Sequence, residues 1–397
     1  MELYNKIKLL SENYLPEIIQ IRRHLHAHPE LSFEEYNTSK FIASKLNEWG
    51  ISYKDQIVKT GIVALIEGAK TPTTDKKKTC VALRADMDAL PINELNEVEY
   101  KSTNTGIMHA CGHDAHTASL LGAAKILNEL KHEFYGTIKL IFQPGEEKLP
   151  GGASLMIKEG VLENPTPTSI LAQHVFPSLE AGKVGFRSGQ YMASTDEIYL
   201  TIKGKGGHAA MKGTYVNPIL IASKCLIELE NKFNDCKIPT VLAFGKISGL
   251  GATNVIPDEV KIEGTLRTMD KLWRQKAHSL INEICTNTAI SSGGNCDVKI
   301  ANGYPSLIND EATTSRAQKI AEEFLGKENV VELELRMTGE DFSFFAEKIP
   351  ACFYRLGTAN QKKGITSGVH TPTFDIEESA LKTGMGLMTA IAIGEIN

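Results

Sequence analysis

Apolar residues recur at helical spacing through Ala118, Leu120, Leu121, Ala123, Ala124, Leu127 and Leu130, which predicts a helix over residues 113–130. Upstream, residues 5–28 are predicted helical up to His28-Pro29, and 34–50 form a second amphipathic helix closed by a glycine. Strand-like runs follow at 62–67 and 80–84, separated by a Lys/Thr/Pro-rich surface loop at 69–79. Short apolar runs at 136–142 and 169–173 continue the alternation of helix and strand. The texture changes near Gly182. Residues 184–187, 197–202, 240–247 and 259–267 read as strands, and 218–233 and 272–288 as helices. Their β-α-β-β-α-β order predicts a two-layer, ferredoxin-like domain ending near Asn302. Helix and strand signals then resume at 311–325, 330–334, 341–347, 351–356 and 378–393. The expected fold is therefore α/β: a mixed-sheet catalytic domain with helices on both faces, residues 1–183 and 303–397. It is interrupted by an inserted α+β lid or dimerisation domain, residues 184–302.

Composition narrows the classes. A chain of 397 residues has room for two or three cores, since single cores stop growing beyond ~250–300 residues. Hydrophobic content of 42% and charged content of 23% are those of an ordinary globular enzyme. A net charge of −5 shows no basic footprint and argues against nucleic acid as a partner. No apolar run approaches the ~20 residues of a membrane span. The opening Met1-Glu2-Leu3-Tyr4-Asn5-Lys6 lacks the pattern of a signal peptide, so the expected location is cytoplasmic. Seven scattered cysteines, an odd number without a CxxC pair, point to reduced thiols rather than disulfides or a zinc ribbon.

The candidate chemistry centres on His109-Ala110-Cys111-Gly112-His113-Asp114, just before the predicted helix. Cys111 and His113 would face a cation from the positive end of that helix, where a thiol pKa is expected to fall. Alone, a Cys-x-His pair is more often a small buried residue beside a polar one. Three strand ends change the balance. The run at 80–84 leads into Asp86 and Asp88, that at 136–142 into Gln143-Pro144-Gly145-Glu146-Glu147, and that at 169–173 into His174. Open α/β sheets bind ligands at the carboxyl ends of their strands. A turn lets Glu146 and Glu147 diverge into one cavity, one binding a cation and the other holding a water. His24, His26 and His28 lack the acid that follows the first histidine of a zincin helix, and read as a polar helix end. Gly204-Lys205-Gly206-Gly207-His208-Ala209 fits a dinucleotide fingerprint, but the next helix opens about ten residues later, too far to receive a pyrophosphate. A nucleotide-dependent enzyme is therefore the weaker alternative.

With Thr253-Asn254-Val255-Ile256-Pro257-Asp258 and Gly339-Glu340-Asp341-Phe342 added in order, the chain resembles the M20 metallopeptidase superfamily. The likeness is to its amidohydrolase branch of hippurate hydrolases, N-acyl-amino-acid deacetylases and auxin-conjugate hydrolases, from about Arg22 to the C-terminal helix. The resemblance implies two divalent ions (Zn, Mn, Co or Ni) held by Cys111, His113, Glu147, His174 and His370. Cys111 would stand where other branches use a bridging aspartate. It implies Glu146 as general base and Asp88 as the residue that orients the site. His208, on the inserted domain, would contact the substrate carbonyl or oxyanion; in some relatives that histidine reaches a partner subunit's site. Asn254 and Arg267 would grip the substrate carboxylate. The implied substrate is a small N-acyl-L-amino acid, and the implied partner a second copy, paired through the lid. An inactive binding module and a dipeptidase are the alternatives. Three departures stand out: Gly145 where relatives usually have Ala, Gln173 where Leu is usual, and Met211-Lys212-Gly213-Thr214-Tyr215-Val216-Asn217-Pro218 where a Pro-His pair and an Asp are usual.

Overall fold

The computed structural model describes residues 2–71 and 78–396, so residues 72–77 of the expected surface loop lie outside the described residues. The chain divides into two compact units. One comprises Met1–Gly189, Ile308–Glu334 and Phe344–Asn397, the other Gln190–Leu307 and Leu335–Ser343.

The first unit is built on an eight-stranded mixed sheet. From edge to edge its strands are Ser52–Ile57, Gly61–Glu67, Thr137–Gln143, Cys80–Asp86, Ser169–Glu180, Ala351–Ala359, Val184–Phe186 and Val330–Glu332. The four central strands run parallel. Three of them (Cys80–Asp86, Thr137–Gln143 and Ala351–Ala359) are buried along their whole length, as strands covered on both faces must be. Helices Glu2–Ala27, His113–Glu129 and Ala380–Ile396 pack on one another, and their apolar faces supply much of the core.

Two expectations need correction here. Val184–Phe186 does not open the inserted domain: it pairs with Val330–Glu332 and Ala351–Ala359 in the large sheet. The run at 169–173 does not end at His174 but continues to Glu180, because Ala351–Ala359 pairs beside it along that whole stretch. His174 is exposed to ligands because its other neighbour stops short. The register pairs Arg84 with Ala172, and Cys80–Asp86 ends two residues later, level with His174.

The second unit carries a four-stranded antiparallel sheet in the order Thr240–Ser248, Glu259–Thr268, Ser194–Lys203, Asn295–Asn302. Helices Pro218–Asn234 and Lys271–Ser291 complete the ferredoxin-like order. Both helices start on side-chain caps: Asn217 accepts from the Ile219 amide and Asp270 from the Trp273 amide. In Ser194–Lys203 every second residue is buried, so one sheet face packs on the helices and the other is open.

Candidate metal centre

The carboxyl ends of the parallel strands and one helix start bring the donors of the first unit together. Gly112, at φ 79°, breaks the chain into the helix His113–Glu129. That left-handed conformation favours glycine, and a Cβ there would stand 2.6 Å from Val175 Cγ2. Cys111 and His113 therefore flank a residue pressed against the strand that carries His174.

Each buried imidazole is oriented by its second nitrogen. His113 Nδ1 lies 3.1 Å from Asp88 Oδ1, and His174 Nδ1 donates to the Val175 carbonyl at 2.8 Å. In both rings Nε2 is thereby turned toward the other donors. His174 Nε2 lies 3.5 Å from Cys111 Sγ. His113 Nε2 is fully buried and meets no hydrogen-bond partner; the nearest Glu147 oxygen, Oε1, is 3.9 Å away. His370 Nε2 approaches that same Glu147 oxygen at 3.2 Å from the rim, where its side chain is 52% exposed.

The donors fall into overlapping groups: Cys111 with His113 and His174, Cys111 with Glu147 and His370, and His113 with Glu146 and Glu147, each within 4.8 Å. Cys111 belongs to two of the three groups, where one sulfur can serve two cations. A buried imidazole nitrogen left without a hydrogen bond, converging with thiol, imidazole and carboxylate donors, fits divalent transition ions. The Asp88 carboxylate ties the set together. Its Oδ2 accepts from Ser32 Oγ at 2.6 Å and from the Glu147 amide at 3.0 Å, while its Oδ1 faces His113.

Protonation follows from these neighbours. The expected low thiol pKa is not found: burial, reinforced by the Glu147 charge, pushes Cys111 upward. Closeness to a helix start is outweighed by loss of solvent. Cys111 and Glu147 together raise His370 to about 10, whereas burial and Arg355 lower His174 well below its usual value. Burial opposes ionisation of Asp88, yet its hydrogen bonds, led by His113, hold it below the usual carboxylate range.

Other expected residues lie elsewhere. In the second unit Gly207–His208 pairs with Val255–Ile256, and the Ala209 amide donates to the Asn254 carbonyl, so His208 and Asn254 are neighbours. Arg267 is not with them. It lies eight residues beyond Glu259 on one strand, roughly 25 Å at ~3.3 Å per residue, half-buried near Asp196 and Glu197. The glycine run 204–209 forms a bridge and a two-residue strand before a helix that begins only at Pro218, which removes the nucleotide reading. His26 is not a polar helix end. It is buried against Asp114 at 2.7 Å and Glu94 at 3.2 Å, in a cluster with Arg22.

Sequence reasoning missed several supporting residues: Ser32, Glu35, the Asp86–His116 pair and Val175. Asp86 sits at its strand end as expected and, like Asp88, approaches the His113 ring, with Oδ2 3.8 Å from Nε2; its hydrogen bonds go to Arg84 and His116. The spacing of His116, three residues after His113, was the available signal, since that places both on one helix face.

A profile described as Peptidase family M20/M25/M40 matches residues 82–393. IAA-amino acid hydrolase ILR1-like 4 of Arabidopsis thaliana is 38% identical over 382 residues, 94% of this chain and 84% of its own. N-acetyl-L-cysteine deacetylase of Bacillus subtilis (strain 168) is 38% identical over 368 residues, 92% of this chain and 85% of its own. Among solved structures, the Bacillus subtilis YXEP protein, described as a dinuclear metal binding peptidase from the M20 family, superposes with a TM-score of 0.83. It is 34% identical and covers 97% of this chain and 99% of its own.

Proposed function

Because this chain belongs to peptidase family M20/M25/M40 and is a metal-dependent amidohydrolase, we propose that it hydrolyses the amide bond of an N-acyl-L-amino acid. The products are a carboxylic acid and a free amino acid. The observation that carries the reading is Cys111, common to two donor groups whose other members are His113 and His174 on one side and Glu147 and His370 on the other. Those five residues would hold two divalent ions. Such ions, when bound, lower the pKa of a water toward ~7 and polarise a carbonyl oxygen.

The chain's own residues do the rest. Glu146, buried next to Glu147 and near His113, takes the proton of the attacking water and delivers it to the leaving nitrogen. A base so positioned contributes ~10²–10⁴-fold. Asp88 fixes the turn through the Glu147 amide and aims His113 through its Nδ1. His208 accepts from the Ala210 amide through Nδ1, so the ring proton is on Nε2, the donor an oxyanion-stabilising histidine would need; that is the part we propose for it. Asn254 beside it would hold the substrate carboxylate. A cytoplasmic location and a homodimer paired through the second unit belong to the same proposal. No helix among the described residues is long and apolar enough to cross a membrane.

The test is hydrolysis of N-acetyl, N-benzoyl and longer N-acyl amino acids in Mn²⁺. Turnover should vanish with EDTA and return with Mn²⁺ or Zn²⁺. Glu146→Ala should retain its metal and lose ~10²–10⁴-fold in kcat. Near-normal turnover by that variant would end the role of Glu146, and failure on every acyl amino acid would end the substrate class.

A further inference from the structure

Between His113 and His174 lies a third buried imidazole to which the mechanism gives no part. The His116 ring is centred 4.7 Å from that of His174 and 5.4 Å from that of His113. Both its nitrogens are engaged. Nε2 accepts from the Val175 amide at 2.8 Å, so the proton must sit on Nδ1, which donates to Asp86 Oδ1 at 2.5 Å. The other Asp86 oxygen takes Arg84 Nη1 at 2.6 Å. A ring with no spare lone pair cannot itself bind a cation, although Asp86, His113 and His116 lie close enough together to suggest one.

What His116 grips is the residue that aims His174. The Val175 carbonyl accepts from His174 Nδ1 at 2.8 Å, which turns His174 Nε2 toward Cys111 Sγ. The Val175 side chain is fixed independently, in the space a Cβ on Gly112 would need. Residue 175 is thus clamped at its amide by one histidine of the helix, and at its side chain by the glycine between Cys111 and His113.

We propose that His116 is a positioning residue of the metal centre: held in one tautomer by Asp86, it fixes the Val175 peptide and through it the direction in which His174 presents Nε2. This rests on the dinuclear reading above. Groups that orient a metal ligand in this way are worth ~10–100-fold in metal affinity.

The experiment is a Co²⁺ titration of the metal-free full-length protein, following the visible bands of Co²⁺ and its sulfur charge-transfer band. Wild type should take up two ions per chain. His116→Phe keeps the ring volume but loses both hydrogen bonds; it should weaken one of the two sites ~10–100-fold and alter the visible envelope of the ion bound there. His116→Gln, whose amide oxygen can accept from Val175 and whose NH2 can donate to Asp86, should restore both. If the Phe variant does not fold, Asp86→Asn serves instead: its amide can force the His116 proton onto Nε2, against the Val175 N–H, with the same weakening expected. Wild-type affinity and spectrum in the Phe or Asn variant would overturn the inference, as would a Gln variant no better than Phe. Fewer than two ions in wild type would overturn the dinuclear reading and this inference with it, a failure visible before any variant is made.

Discussion

Gly145 sits at φ 61°, and a Cβ there would stand 2.4 Å from the Phe33 ring. Its amide donates to Glu35 Oε1 at 2.8 Å, and Glu35 also accepts from Thr60 and from the Phe33 amide. The turn that presents Glu146 and Glu147 is thus braced from the segment before the second helix. Gly145→Ala should cost roughly 1–3 kcal/mol here through overpacking against Phe33. Urea unfolding should show the loss, and Phe33→Ala in the same chain should recover part of it. An unchanged midpoint in the single variant would contradict the packing account. At this scale Cys111, His113 and the two glutamates were legible because their residue types carry metal chemistry wherever they cluster. Ser32, Glu35 and His116 were not, because each acts only through a neighbour that folding supplies. The thiol was misjudged for a related reason: helix position can be read from sequence, but full burial beside Glu147 cannot.

Among the elements, sheet register does most to assemble the site. Asp86 pairs with Gln143 in one neighbouring strand and is level with His174 in the other, so three chain segments, each about thirty residues or more from the next, meet without further steering. Strands with strong apolar runs were legible. Ser52–Ile57 was not, because its Ser-Tyr-Lys-Asp-Gln-Ile pattern is that of an exposed edge strand. In the second unit the start of Ser194–Lys203 is anchored by Asp196, buried and bound by Arg274 at 2.6 and 2.8 Å and by His278 at 2.7 Å. Burial works to raise the pKa of that carboxyl, but Arg274 and His278 hold it down at about 2. An unfolded aspartate titrates near ~3.9, so as pH falls the unfolded chain takes up the proton first. The stabilisation is complete above ~3.9 and is lost on the way down to about 2. Wild type should therefore lose more of its urea midpoint between pH 4 and pH 2 than Asp196→Asn does. Equal slopes for the two would remove the ion cluster from the stability of this unit.

For the whole molecule, the apolar core of each unit and the donor cluster of the first make distinct predictions. Both cores are apolar and complete without any ion, so chelation should leave a folded chain. Returning Zn²⁺ or Mn²⁺ at a hundred times its dissociation constant should stabilise the first unit by ~2.7 kcal/mol per site, read as a rise in Tm. A Tm indifferent to metal would mean that the buried donors pair among themselves. The interruption of one α/β unit by a ferredoxin-like one was legible because the β-α-β-β-α-β order is local; the return of Leu335–Ser343 to the second unit was not, since no periodic pattern marks it. The central claim, that one sulfur serves two cations, is tested most directly by anomalous diffraction from crystals grown with Zn²⁺. The expected map has two peaks flanking Cys111 Sγ, one beside His113 and His174, the other beside Glu147 and His370. A single peak, or two that do not share that sulfur, would contradict it.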